Sequence, residues 1–180
     1  MLKTHFERQF AYNRWAWGEI FKSVEQLDSA TYKQEMGYFW GSIHVMMVHG
    51  LSAEYVWRER CMGSSPTALF NAADFADFAA VREKWLPEMD AFHAWLTQTD
   101  EDTFGRTIKY KSTKGTPRSC PLSEILQHVV NHATEHRSHI SPVLYNLGYP
   151  TISLDFMYFC VSTAGGNLTD WGVSKHIVTK

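Results

Sequence analysis

The sequence predicts an all-α fold, a four-helix bundle with long crossover connections and a small β-hairpin before the last core helix. Three observations predict it. Apolar residues recur at three- and four-residue spacing in four separate stretches, while alternating character is confined to one short run near residues 107–111. Connections of about ten residues or more follow each of the first three stretches, longer than the usual helix-hairpin link, so crossovers are permitted. With 180 residues and no internal repeat or low-complexity tract, the chain is expected to form a single domain over residues 1–180.

The first helix is predicted from Leu2 to Leu27, where Leu2, Phe6, Phe10, Trp17, Phe21, Val24 and Leu27 make one stripe and Asn13 interrupts it. Asp28 to Tyr38 is a connection carrying Ser, Thr and Gly37. A second helix runs from about Trp40 to Cys61 and stops at Gly63-Ser64-Ser65-Pro66. Its inward face comprises Ser42, Val45, Met46, His49, Ala53, Val56 and Trp57, with His44 outside and Glu54, Arg58, Glu59 and Arg60 expected in ordinary surface pairs. A third, from about Asp74 to Leu96, holds Pro87, which is expected to kink or split it.

The run Thr107 to Lys111, a turn at Lys114-Gly115 and Thr116-Pro117-Arg118 give the hairpin, with lysines suited to a solvated edge. Pro121 then opens the last helix, and Gly148 with Pro150 behind it closes that helix. The apolar tail from Ile152 to Cys160 is expected to pack on the bundle or on a second subunit. Ser162 to Lys180 shows no clear period.

Composition excludes several function classes. A net charge of -2, from 17 basic and 19 acidic residues, gives no general attraction to a phosphate backbone, so nucleic acid is not expected as a partner. Three widely spaced cysteines without a Cys-x-x-Cys argue against a disulfide framework or a thiolate zinc ribbon. The N-terminus lacks a signal-peptide apolar core, and no window reaches membrane-spanning length without charges. A cytoplasmic protein with no membrane partner follows. Aromatic content of 14%, including seven Trp, predicts some exposed rings that serve a subunit contact, hence a homodimer.

The last helix carries the chemistry. It holds four histidines, His128, His132, His136 and His139. At roughly 100° per residue, His132 and His136 fall within about 50° of the apolar face, and His128 and His139 lie roughly 70° to 90° from its centre. Two inward histidines four residues apart can offer their ring nitrogens to one point, the helical His-x-x-x-His chelate. A third ligand must come from elsewhere, and His49, near the middle of the second helix's inward face, is the candidate. One inward histidine is ordinarily a core residue bonded to a backbone or carboxylate acceptor. Three in one core would each need a separate acceptor, whereas one metal ion satisfies them together. A ferritin-like di-iron site would need Glu-x-x-His pairs, and the sequence has none.

The chain resembles the DinB family of metal-binding four-helix proteins from the first helix to about Cys160. The resemblance rests on Tyr12-Asn13-Arg14-Trp15, on Ser42-Ile43 followed by His49 and Glu54, and on the run His128 to Arg137, extended by Leu144 to Gly148 and Leu154-Asp155. It implies one divalent metal ion, Zn, Ni, Fe or Mn, held by His49, His132 and His136. Related families of similar architecture include thiol-dependent transferases and isomerases. The resemblance therefore implies a metal-dependent enzyme that uses a low-molecular-weight thiol on a small electrophilic substrate. A metal-dependent hydrolase and a non-enzymatic metal-binding stress-response protein are the alternatives. Tyr12, Asn13, Glu54 and His128 are the candidates for the pocket or for support behind the ligands, and the catalytic group is a metal-bound water or thiol.

Overall fold

The computed structural model describes residues 1–37 and 41–165. Six α-helices lie among them: α1 (Leu2–Val24), α2 (Ser29–Lys33), α3 (Ile43–Cys61), α4 (Phe78–Gln98), α5 (Leu122–Asn146) and α6 (Phe156–Thr163). Strands β1 (Thr107–Lys111) and β2 (Pro117–Pro121) form one antiparallel hairpin, with Lys109 opposite Ser119, directly before α5. The four long helices make the bundle. Helix α1 packs on α4 and α5, and α3 packs on the same two helices. The links from α1 to α3 and from α4 to α5 therefore cross the bundle, whereas α3 and α4 are neighbours. This is the all-α bundle with crossovers and a hairpin that the periodicity predicts.

Helix ends follow local chemistry. Ser42 and Asp77 cap α3 and α4 by accepting hydrogen bonds from Val45 N at 3.3 Å and Ala80 N at 2.9 Å. Helix α1 begins at the chain's second residue without a cap of its own, and the Glu101 carboxylate serves instead, accepting from Leu2 N at 2.6 Å. Helix α5 ends as expected: Gly148 takes a positive φ of +88°, and Tyr149 N donates back to Leu144 O at 2.9 Å.

Several boundaries differ from the sequence reading. The connection after α1 contains the short helix α2, capped by Asp28. The start expected near Trp40 lies outside the described residues, as does the stretch from 166 to 180; Ser42 caps a helix beginning at Ile43. Pro87 neither splits nor ends α4, which runs unbroken from Phe78 to Gln98. The apolar tail forms α6, which lays Phe159 against α1 and its aromatic neighbours Tyr12 and Trp15.

Helix α3 departs most from expectation. It is buried nearly all round, with Ile43, Met47, Val48, Leu51 and Glu54 inside as well as Met46 and Val56, while Val45 is exposed. His44, expected outside, is buried. Its Nε2 lies 2.8 Å from Ala72 O and its ring meets Tyr32 edge-on. The cause is the segment after α3, which folds back over that helix's outer side and is tied there by Phe70 N donating to Ser52 Oγ at 3.1 Å.

Candidate metal centre

Helices α3 and α5 are neighbours in the bundle, and their facing surfaces bring the predicted histidines together. His49 stands in the second turn of α3; His132 and His136 stand one turn apart in the middle of α5. Each offers one ring nitrogen to a group whose ligand atoms all lie within 4.8 Å of one another. Nε2 of His132 and Nε2 of His136 are 3.0 Å apart. The His49 ring centroid is 4.6 Å from that of His136 and 5.7 Å from that of His132. His136 is buried, while His49 and His132 are half-buried.

Electrostatics keep these imidazoles neutral. Burial lowers the pKa of His49. His132 is pushed down to about 4, by burial first and then by His128 and His49, with Glu135 opposing. His136 is pushed down to about 3, by burial first and then by His132, His49, His139 and Arg137. Ligation requires the neutral form, so desolvation prepares all three rings for a metal.

The donor set fits such an ion. Two imidazole nitrogens bound tetrahedrally at about 2.0–2.1 Å stand roughly 3.4 Å apart, close to the separation of the His132 and His136 nitrogens. Three nitrogens suit Zn, Ni or Fe better than the all-oxygen preference of Mg or Ca. Beside the rings lies a void of about 10 Å³, bordered by His132, His136, Gly50, Trp17 and Glu54, with room for about one water.

Behind the histidines runs a buried polar network. Glu54 accepts from Asn13 Nδ2 at 2.6 Å through Oε1 and from Trp85 Nε1 at 2.7 Å through Oε2. Asn13 Oδ1 accepts in turn from Arg137 Nη1. Arg137 also donates to Thr134 Oγ1 at 2.9 Å, and its guanidinium lies over the Tyr12 and Trp17 rings. Tyr12 ties the network's outer edge to the tail by donating to Leu154 O at 2.8 Å. Burial raises the Glu54 pKa, and the bonds from Trp85 and Asn13 and the charge of Arg137 oppose that rise.

Three of the four supporting candidates thus belong to one network, and the surface pairing expected of Glu54 is corrected. Arg60 is buried as well, stacked on Trp57 at 4.5 Å and Tyr110 at 4.9 Å. His128 is exposed at the rim, edge-on to Trp57 at 4.8 Å and 5.2 Å from the His132 ring, outside the convergent group. Arg137 was not singled out by sequence reasoning. The available signal was three polar interruptions on apolar faces, Asn13, Glu54 and Arg137, which must find partners when buried.

The family model for the DinB family matches residues 1–168. The chain belongs to the DinB family. Among relatives of this DinB-family chain is Protein DinB of Bacillus subtilis (strain 168), 25% identical over 161 residues that cover 86% of this chain and 92% of that protein. The capacity of the histidine cluster to hold a metal ion agrees with what DinB membership implies.

Proposed function

We propose that this DinB-family protein binds one divalent metal ion through His49, His132 and His136 and works as a thiol-dependent S-transferase on a small electrophile. The observation that carries this reading is the convergence of three imidazoles, held neutral by burial, from two neighbouring helices. Zn, Ni, Fe and Mn are the candidate ions. Once bound, such an ion supplies a Lewis-acidic charge that acidifies a coordinated water or thiol. The chain's own part is to present uncharged ligands, which leave that charge undiminished, and to close the inner side to anything larger than about one water. A thiol and an electrophile therefore approach from the outer side, where His49 and His132 are half-buried. The same one-water void favours a second reading, metal-dependent hydrolysis.

Residues 1–180 are read as one domain. All three cysteines are free thiols, which supports a cytoplasmic setting, and no helix among the described residues is long and apolar enough to cross a membrane. Exposed Tyr145, Ile152 and Met157 support a homodimer contact.

Metal content of purified variants tests the ligand set. His132→Ala and His136→Ala lose the metal and His44→Ala keeps it; equal content in all three refutes the assignment. With metal loaded, consumption of glutathione by 1-chloro-2,4-dinitrobenzene supports the transferase. Turnover of an activated ester without thiol favours the hydrolase, and metal retention with neither activity assigns the non-enzymatic stress-response role.

A further inference from the structure

A cavity of about 620 Å³ lies between α1 and α4, and Glu54 borders both it and the water-sized void beside His132 and His136. Its volume falls in the range of small-molecule sites, roughly 300–1,000 Å³. Phe10, Trp15, Met89 and Phe92 supply apolar walls, and buried Asn13 and Glu54 supply a polar end. Gly18 leaves the α1 wall thin, since nothing lies within 4 Å of where its Cβ would stand. At the mouth, Arg14 pairs with Asp90, and Lys22 pairs with Glu19 at 2.6 Å. Glu19, Glu54 and Asp90 line the cavity with Arg14 and Lys22, and the two mouth pairs leave Glu54 as the lining carboxylate without a basic partner in the wall.

The polar end is short of donors rather than acceptors. Glu54 accepts from Asn13 through Oε1 and from Trp85 through Oε2, the Trp17 indole N–H adds a further interaction, and a carboxylate offers about four acceptor positions. Aromatic walls favour a flat apolar body and attract a cation to their faces. We propose that this cavity binds a small aromatic amine, with its ring among Phe10, Trp15, Met89 and Phe92 and its ammonium directed to Glu54. Its polar end shares Asn13 and Glu54 with the network behind the histidines, but the site needs no metal and stands whether or not that reading does.

The test uses the purified full chain and 2-phenylethylamine in a calorimetric titration. Saturable binding at one per chain is expected. Gly18→Leu, which fills the cavity from the thin wall, weakens binding fivefold or more while keeping its thermal transition and metal content. The uncharged 2-phenylethanol also binds at least fivefold more weakly. No saturable binding, a folded Gly18→Leu variant within fivefold of the parent, or an alcohol within fivefold of the amine overturns the proposal. Should Gly18→Leu fail to fold, the Trp15 indole N–H resonance of the parent, assigned with Trp15→Phe, decides. A saturable shift with the amine supports the site, and an unmoved resonance overturns it.

Discussion

Two glycines inside helices give opposite predictions for the same substitution. A Cβ at Gly50 would stand 2.5 Å from Trp85 Cη2, 3.1 Å from its Cζ2 and 3.3 Å from Trp17 Cη2. Neither indole can easily yield. Both are fully buried with centroids 4.6 Å apart, and Trp85 is tethered to Glu54. Overpacking of this kind costs about 1–3 kcal/mol, and the better helix propensity of alanine returns up to about 1 kcal/mol. Gly50→Ala is therefore expected to destabilise the protein by about 1–2 kcal/mol net. At Gly18 nothing stands within 4 Å of the new atom, so Gly18→Ala keeps the propensity gain of about 0.5–1 kcal/mol. In a chain of this size each kcal/mol moves Tm by about 2–4 °C. Thermal melts followed by circular dichroism at matched metal loading should show Gly50→Ala melting below the parent and Gly18→Ala above it. A Gly50→Ala transition at or above the parent's would refute the close packing of α3 on the two tryptophans.

The buried network makes a second prediction. Glu54→Ala leaves the Arg137 guanidinium buried without its carboxylate and should cost about 3–5 kcal/mol in urea denaturation. Adding Arg137→Met should cost at least about 1 kcal/mol less than the sum of the two single changes, and simple additivity would show that the pair is not coupled. A third prediction concerns pH in the metal-free protein. Unfolded imidazoles take up protons below pH 6.5, whereas folded His132 and His136 resist until about 4 and 3, so the unfolded state binds more protons and stability falls as pH falls through this window. Each unit costs about 1.4 kcal/mol per histidine held neutral, less for His132, which solvent partly screens. His136→Ala should flatten the slope, and an unchanged slope would contradict the assignment.

The four long helices were legible because α1, α4 and α5 each bury one stripe and expose the other side. Helix α3 was legible as a helix but its faces were not, because periodicity reveals a face only where the opposite face meets water. The returning segment with Phe70 and Ala72 covers what would have been its solvent side, so His44 is buried. Helix α2 was hidden for another reason: five residues contain too little periodicity to register, and only the Asp28 cap marks it. The unbroken course of α4 through Pro87 likewise follows from packing on both α1 and α3, which overrides a local breaker.

The histidine pair was legible because helical spacing alone fixes His132 against His136, and His49 because it interrupts an apolar face. The polar network was legible only in fragments, since its members come from different helices: Asn13 from α1, Glu54 from α3, Trp85 from α4 and Arg137 from α5. One hydrogen-bonded chain thus ties all four bundle helices, including the α1 and α3 pair that sit diagonally. Its two charged members flank the candidate centre, Glu54 little more than one turn from His49 and Arg137 next to His136. A slide of α5 against α3 would pull the imidazoles apart and also strand a guanidinium and a carboxylate in the core, at a cost far above that of displaced apolar contacts alone. Apolar packing tolerates such slides better than a satisfied polar network does. The network therefore resists a slide that would part His49 from His132, residues 83 positions apart in sequence.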